Sequence, residues 1–186
     1  MDSSKSSYIF KVIVVGEGGV GKTTFINRYA TNKYDKDTKI TIGAGFYSFH
    51  NKVEADIIIK LQIWDFGGES RFRFILPSYC HGAHAVIFAF DLTRNSTLVN
   101  LSDWFDLVYK NTNGNPIVLV IGTKADKLRE AGREAVTDVK IEDFLKKNEL
   151  PPEIFFKTSS KTGENIEIVF AALSDLLYAR VIQLNV

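Results

Sequence analysis

Short runs of apolar residues alternate with segments of helical periodicity along the chain. The apolar runs predict buried strands over residues 8–15, 46–49, 57–64, 84–90, 117–121 and 154–156. At the end of the run over 57–64, Ile59, Leu61 and Ile63 alternate with Lys60 and Gln62 and form one apolar face. Strands that alternate with helices favour a mostly parallel sheet with helices on both faces.

The helical segments carry apolar residues at three- and four-residue spacing. We predict a helix over 21–31, one behind Ser96 as its N-cap, one after Asp138, and a closing helix. The apolar faces of the last three comprise Leu98, Leu101, Phe105 and Val108; Ile141, Phe144 and Leu145; and Val169, Phe170, Leu173, Leu176 and Leu177. Because no repeat or linker interrupts the pattern, we expect one domain over 1–186, with a polar tail at 1–7 and a polar, Lys-rich segment at 32–39.

Composition and charge exclude several classes of protein. A chain of 186 residues can bury a core, and an apolar fraction of 45% argues against disorder, collagen and coiled coil. The 23 basic and 22 acidic residues leave a net charge of +1, so no global field attracts nucleic acid or an anionic membrane. The single cysteine, Cys80, cannot form an intramolecular disulfide and fits a reducing compartment.

The sequence contains no signal peptide, no apolar run long enough to span a membrane and no lipidation site. We therefore expect a monomeric, cytoplasmic protein. We expect that its sequence carries no membrane anchor and that the protein binds no nucleic acid. A lipidated tail removed from the sequence is the alternative that stays open.

The turn after the first strand carries the clearest chemical signal. It reads Gly16-Glu17-Gly18-Gly19-Val20-Gly21-Lys22-Thr23, which fits the phosphate-loop pattern G-x-x-x-x-G-K-[ST]. Glycines let the backbone turn several N–H groups towards one anion, and the following helix adds its N-terminal dipole. Lys22 supplies a charge for the outer phosphates, and the Thr23 hydroxyl is a suitable oxygen ligand for Mg²⁺. A strand before the loop and a helix after it make a chance match a poor explanation.

Four further motifs follow in order. They are Thr41-Ile42-Gly43, Leu61-Gln62-Ile63-Trp64-Asp65, Thr123-Lys124-Ala125-Asp126 and Thr158-Ser159-Ser160-Lys161. With the phosphate loop, their order and spacing resemble the Ras superfamily of small GTPases over nearly the whole chain. Ile63-Trp64-Asp65 with Arg71-Phe72-Arg73 is most similar to the Rab branch, whereas Gly67-Gly68 is more like the Arf branch, so the subfamily stays open.

The resemblance implies an α/β phosphate-loop NTPase fold with a six-stranded, mostly parallel sheet, and a switch that binds GTP or GDP with Mg²⁺ and slowly hydrolyses GTP. It implies that Thr23, Thr41 and Asp65 hold Mg²⁺, and that Glu69, Lys22, Gly68 and Thr41 take part in hydrolysis. It also implies effectors, exchange factors and activating proteins at two switch loops. The nucleotide contacts that it implies are Gly16, Glu17, Gly18, Gly19, Val20, Gly21, Lys22, Thr23, Thr24, Tyr34, Thr41, Gly68, Thr123, Lys124, Asp126, Ser159, Ser160 and Lys161.

Base selection is expected at Asp126. Its carboxylate can accept from the N1–H and 2-amino groups of guanine, and adenine, which lacks both donors, leaves it unpaired. The stem of Lys124 is expected to lie along the base. The ordinary alternatives are a surface ion pair for Lys124 and Asp126, a solvated strand-end carboxylate for Asp65, a loop residue for Thr41, and a core or surface aromatic for Tyr34.

Three positions depart from the family pattern, and the third, Ser160 in place of a common alanine, should have a mild effect because the backbone makes the contact. Glu69 stands where the family has the glutamine that orients the attacking water. A carboxylate cannot donate a hydrogen bond as an amide can, so we expect slow hydrolysis; Glu69 acting as a base beside a cation, or a partner supplying the catalytic group, are the alternatives. Gly18 leaves room for a partner's arginine. Thr123 replaces an asparagine, and since a hydroxyl makes fewer hydrogen bonds than a carboxamide, we expect weaker nucleotide affinity and faster exchange.

The second switch region is expected to be apolar because it contains Phe66, Phe72, Ile75, Leu76 and Tyr79. It forms either a partner surface that changes with the nucleotide or a helix packed on the sheet. The sequence does not distinguish these two interpretations.

Overall fold

The computed structural model describes residues 6–69 and 74–184. Within them, six strands form one sheet, in the order β2-β3-β1-β4-β5-β6. The β2–β3 pair is antiparallel, and each of the other neighbouring pairs is parallel, which confirms the predicted fold class. The strands are β1 (Ser6–Val15), β2 (Ala44–Glu54), β3 (Ile57–Phe66), β4 (Ala85–Asp91), β5 (Ile117–Thr123) and β6 (Phe155–Lys157).

Helices follow the strands, as crossover connections between parallel strands require. They are α1 (Lys22–Thr31), α2 (Leu76–Cys80), α3 (Asn95–Val99), α4 (Leu101–Asn111), α5 (Asp138–Lys147) and α6 (Ile166–Leu184). Short 3₁₀ turns occur at Ala125–Glu130, Gly132–Glu134 and Pro152–Ile154. Among the described residues, no helix is both long and apolar enough to cross a lipid bilayer.

Each face of the sheet is buried against helices. On one face, Phe25 of α1 and Phe170 of α6 stack with their ring centroids 5.1 Å apart above the apolar side chains of β1 and β3. On the other, Phe88 of β4 stacks on Phe105 of α4 at 3.7 Å. The central strand β4 is buried along its whole length, which explains its unbroken apolar run.

Several element boundaries differ from the predicted ones because strand pairing overrides local sequence. Strand β1 begins at Ser6, inside the segment assigned to a tail, since Ser6 and Ser7 pair with Ile57 and Ile58 of β3. Strand β2 continues to Glu54 because it pairs with β3 along its length.

Two local predictions were wrong. Ser96 is not an N-cap: it lies inside the short helix α3, and α4 starts only after Asn100. Ile154 belongs to a 3₁₀ turn rather than to the last strand, because Pro152 starts a turn that continues to Ile154.

Candidate functional site

The carboxyl ends of the parallel strands surround one cavity of about 280 Å³. This is the edge of an open α/β sheet where ligands bind. Fifteen of the predicted site residues line the cavity: Gly18, Gly19, Val20, Gly21, Lys22, Thr23, Thr24, Tyr34, Thr41, Gly68, Thr123, Lys124, Asp126, Ser160 and Lys161. The structure thus brings together residues from four of the five motifs, with Tyr34 and Gly68, whereas Asp65 does not itself line the cavity.

Lys22 is the first residue of α1, directly after the loop that follows β1. Its side chain donates to the carbonyl oxygens of Gly16, at 2.8 Å, and Glu17, at 3.0 Å. The residue is only 5% exposed, and burial lowers its pKa to about 8 despite the nearby carboxylates of Asp65 and Glu17. An anion bound in the cavity would therefore stabilise the charged form of this buried ammonium.

The loop closes tightly on the neighbouring strand. A Cβ at Gly16, whose φ is 142°, would collide with the carbonyl oxygen of Ala89 in β4. Gly16 therefore has no room for a side chain, and it contributes to the site through its backbone.

Three oxygen-bearing side chains converge beside Lys22. The Thr23 hydroxyl donates to Asp65 Oδ2 at 2.5 Å and lies 2.5 Å from the Thr41 hydroxyl, which is 3.4 Å from the same carboxylate oxygen. Asp65 is fully buried, and its other oxygen, Oδ1, has no hydrogen-bond partner among the described residues. Burial raises the pKa of Asp65, while Thr23, Lys22 and Thr41 oppose the increase.

This donor set fits Mg²⁺. The ion prefers oxygen ligands and one or two carboxylates, and a buried carboxylate oxygen without a partner is costly unless a cation or donor satisfies it. Thr23, Thr41 and Asp65 are the residues predicted for this role. The convergence argues against Asp65 as a merely solvated strand end.

At the other end of the cavity, Ser159 orients Asp126. The fully buried Ser159 donates its hydroxyl to Asp126 Oδ1 at 2.6 Å. Ser159 itself does not line the cavity, so it acts through the carboxylate. A carboxylate held in one orientation can select a ligand by the position of its donors.

Lys124 does not pair with Asp126, so the alternative of a surface ion pair between them is wrong. Its ammonium donates to Asp91 Oδ2 at 2.7 Å and to the carbonyl oxygen of Gly19 at 3.0 Å. Both contacts occupy the charged end of a residue that also lines the cavity. Burial opposes ionisation of Asp91, but hydrogen bonds from Lys124 and Thr93 outweigh it and hold the pKa of Asp91 below its usual value.

Thr123 connects three segments with one hydroxyl. The hydroxyl lies 2.5 Å from the carbonyl oxygen of Val20 and 2.9 Å from that of Phe90, and it is the donor to both. The smaller side chain still reaches the phosphate loop, although with a single shared hydrogen.

We expect Thr123→Val to release GDP about tenfold faster, because it keeps the side-chain volume and leaves two buried carbonyls without their donor, at a cost of about 1–3 kcal/mol. Stopped-flow release of a fluorescent GDP measures this rate. Thr123→Ser retains the hydroxyl and should stay close to the unmodified chain. Equal release rates for the valine and serine variants would contradict the assigned contact.

The two loops that follow α1 and β3 are connected to each other and to the phosphate loop. The Gly67 N–H donates to the carbonyl oxygen of Gly43 at 2.9 Å. A Cβ at Gly68 would collide with backbone atoms of Gly16, Glu17 and Gly18, so only glycine allows this approach. Glu69 lies beside Gly18, since a Cβ added at Gly18 would be 3.8 Å from Glu69 Cγ. The sequence-predicted residues Arg71, Phe72 and Arg73 fall outside the described ranges.

The structure distinguishes the two interpretations of the second switch region for Phe66 and Leu76. Phe66 and Leu76 are only 2% and 1% exposed and pack in the core, as the alternative interpretation of this region holds. The exposed apolar side chains nearby are Ile40, Ile42, Phe46 and Phe74. Phe46 lies against Trp64, which in turn contacts Tyr79, with ring centroids 5.1 and 5.0 Å apart.

Sequence reasoning missed several residues at the site. The lining also includes Asp35, Lys36, Thr38, Lys39, Ile40, Phe66 and Lys127. Five of these lie between Tyr34 and Thr41 in sequence. Because both of those residues were predicted to contact the nucleotide, the residues between them could have been predicted to line the site as well. Glu17, which was predicted to contact the nucleotide, does not line the cavity. Its carboxylate accepts a hydrogen bond from the Asn100 side chain at 3.1 Å.

Comparison with known proteins agrees with this geometry. The family model described as Ras family matches residues 11–179. The chain is 35% identical over 164 residues to Ras-related protein RABA1c of Arabidopsis thaliana, covering 88% of this chain and 73% of that protein. It is 33% identical over 175 residues to Ras-related protein Rab-25 of Homo sapiens, covering 94% and 79% respectively. The chain therefore belongs to the Ras family and is a Ras-superfamily small GTPase that resembles the Rab proteins.

Proposed function

We propose that this protein is a switch that binds GTP or GDP with Mg²⁺ and hydrolyses GTP slowly to GDP and phosphate. One observation carries the proposal: one cavity is lined by a buried lysine, by the Thr23 and Thr41 hydroxyls that contact Asp65, and by the oriented Asp126. In this arrangement Lys22 binds the phosphates. Asp126 accepts from the guanine edge.

Mg²⁺ would be held by Thr23, Thr41 and, directly or through water, Asp65. When bound, the ion offsets phosphate charge as it develops during hydrolysis. Because Thr41 lies on the first loop and Asp65 at the end of β3, occupancy of this site restrains the first loop against the sheet. The hydrogen bond from Gly67 to Gly43 passes that restraint to the second loop.

The terminal phosphate would contact Thr41 in the first loop and Gly68 in the second. Its loss removes a contact from each loop at the same time, which is the physical basis of a two-state switch. Effectors, exchange factors and activating proteins would bind the exposed apolar residues of these loops and so distinguish the GTP-bound from the GDP-bound conformation. Ile42 and Phe74, each 78% exposed, are the strongest candidates for such contacts.

In hydrolysis, a water oxygen attacks the terminal phosphorus and the bond to the bridging oxygen breaks. The electron pair of the broken bond stays on the GDP oxygen, and both protons of the water end on the released phosphate as H₂PO₄⁻. Glu69 lies beside Gly18, a residue that lines the cavity. The negative charge of Glu69 repels the negative charge that develops on the transferring phosphoryl group, so we propose a slow intrinsic rate of hydrolysis. Gly18 leaves space for an arginine from an activating partner.

The second candidate function is a GTP-binding scaffold with little or no hydrolysis. The observation that favours it is the same carboxylate, since Glu69 cannot donate a hydrogen bond to water as glutamine does. The two candidates share the nucleotide site and differ in turnover.

Glu69→Gln is expected to raise the single-turnover rate of GTP hydrolysis at least about fivefold, because the amide can donate and carries no charge. The measurement follows GDP formed by purified protein with Mg²⁺. Glu142→Gln, at an exposed position of α5, is the matched control. A lower rate in Glu69→Gln would instead make Glu69 a base, and an unchanged rate would remove it from the mechanism.

A further inference from the structure

Each carbonyl oxygen of the loop over residues 16–20 accepts a hydrogen bond from a side chain outside that stretch. The donors are Lys22 for Gly16 and Glu17, Arg94 for Gly18, Lys124 for Gly19 and Thr123 for Val20. Lys22, Lys124 and Thr123 belong to the motifs of the sequence. Arg94 belongs to none of them, and it lies in the turn after β4.

Arg94 is held by a buried carboxylate. Its Nη2 donates to the Gly18 carbonyl at 3.3 Å, and its Nε donates to Asp91 Oδ2 at 3.0 Å. The same Asp91 oxygen accepts from Lys124, while Asp91 Oδ1 accepts from the N–H and hydroxyl of Thr93. One fully buried carboxylate therefore sets the positions of two cations on two successive carbonyls of the loop.

The backbone of this turn is fixed as well. The Arg94 N–H donates to the Asp91 carbonyl at 3.0 Å. The Thr97 hydroxyl donates to the Arg94 carbonyl at 2.7 Å and accepts from the Asp91 N–H at 2.9 Å. Arg94 thus starts from a rigid turn, and its guanidinium needs little further ordering to reach Gly18.

Gly18 is one of the phosphate-loop residues that approach the loop after β3. A Cβ at Gly18 would be 3.7 Å from Gly68 and 3.8 Å from Glu69. A hydrogen bond from a cation polarises the Gly18–Gly19 peptide, which makes the Gly19 N–H a stronger donor. The guanidinium also adds a positive charge next to the Gly18 carbonyl.

We infer that Arg94, oriented by Asp91, is a positioning residue for the terminal phosphate of the bound nucleotide. This inference rests on the proposed function. Arg94 does not line the cavity, so it acts through the Gly18–Gly19 peptide. Its effect is therefore larger on the triphosphate than on the diphosphate.

The test compares Arg94→Ala and Arg94→Lys with Arg133→Ala, an exposed arginine in the 3₁₀ turn Gly132–Glu134. Three quantities are measured: single-turnover GTP hydrolysis, GDP release, and the ratio of affinities for a non-hydrolysable GTP analogue and GDP. For Arg94→Ala we expect hydrolysis about tenfold slower, an affinity ratio at least about threefold lower, and GDP release within about threefold of the unmodified chain. Arg94→Lys should fall between, because one ammonium cannot reproduce the two-sided guanidinium contact.

A role confined to holding the turn would lower the melting temperature and leave the affinity ratio and hydrolysis unchanged, and that result overturns the inference. Asp91→Asn supplies a second check, since Arg94→Ala should cost less in that background than alone. If the unmodified chain binds GTP without hydrolysing it, the proposed hydrolysis fails and the affinity ratio alone decides the inference. If it binds no guanine nucleotide, both fail.

Discussion

Lys22→Ala is expected to weaken GDP binding at least about a hundredfold. The change removes a buried positive charge from the cavity and leaves the carbonyl oxygens of Gly16 and Glu17 without their donor. Hydrogen bonds to charged groups contribute about 1.5–3 kcal/mol each, so loss of the contacts to two phosphate oxygens accounts for this factor. Titration of the folded variant with fluorescent GDP gives the affinity.

The matched control is Lys140→Ala, at an exposed position of α5. Its affinity should equal that of the unmodified chain. Lys22→Arg should also fail to bind, because a guanidinium does not fit the space of an ammonium that is 5% exposed. Binding by Lys22→Ala within threefold of the unmodified chain would remove Lys22 from the phosphate site.

Asp126→Asn is expected to change the preferred base from guanine to xanthine. Ser159 donates to Asp126 Oδ1 and should hold the amide oxygen in the same place, so the amide nitrogen replaces the second carboxylate oxygen. An acceptor thereby becomes a donor. Xanthine carries a carbonyl where guanine has its 2-amino group, so the variant pairs with xanthine and leaves guanine unsatisfied.

The expected size is a shift of about a thousandfold or more in the ratio of GDP to xanthosine diphosphate affinity, since a site built for one hydrogen-bond pattern rejects the opposite one strongly. Competition titrations with both nucleotides measure it. Asp143→Asn, exposed on α5, should leave the ratio unchanged. Equal loss of both affinities in Asp126→Asn would indicate that the residue only supports the loop.

The parts of the site that the sequence predicts are those encoded locally. The phosphate loop follows from eight consecutive residues, because its glycines, lysine and threonine act within one turn. The buried strand β4 follows from an unbroken apolar run. The meeting of Thr41 with Asp65 depends on two loops that are distant in sequence, so it was available only through resemblance to a family.

Contacts that depend on the register of neighbouring strands were not predictable. Asp91 and Thr123 are paired across β4 and β5, and this pairing brings Lys124 to Asp91. No local pattern encodes that contact. Ser96 is a residue type that often caps helices, yet it lies within α3. The neighbouring Thr97 hydroxyl accepts from the Asp91 N–H and so fixes the start of α3 close to the end of β4. Phe66 and Leu76 could not be assigned to core or surface until the packing of α2 was known.

The central claim, that this cavity binds a guanine nucleotide with Mg²⁺, is tested most directly by equilibrium titration of the 186-residue chain with fluorescent GDP and fluorescent ADP. Each titration is repeated after Mg²⁺ is chelated. We predict saturable binding of GDP, binding of ADP weaker by about a thousandfold or more, and faster release of GDP without Mg²⁺. Equal affinity for the two nucleotides, or binding of neither, would contradict the account.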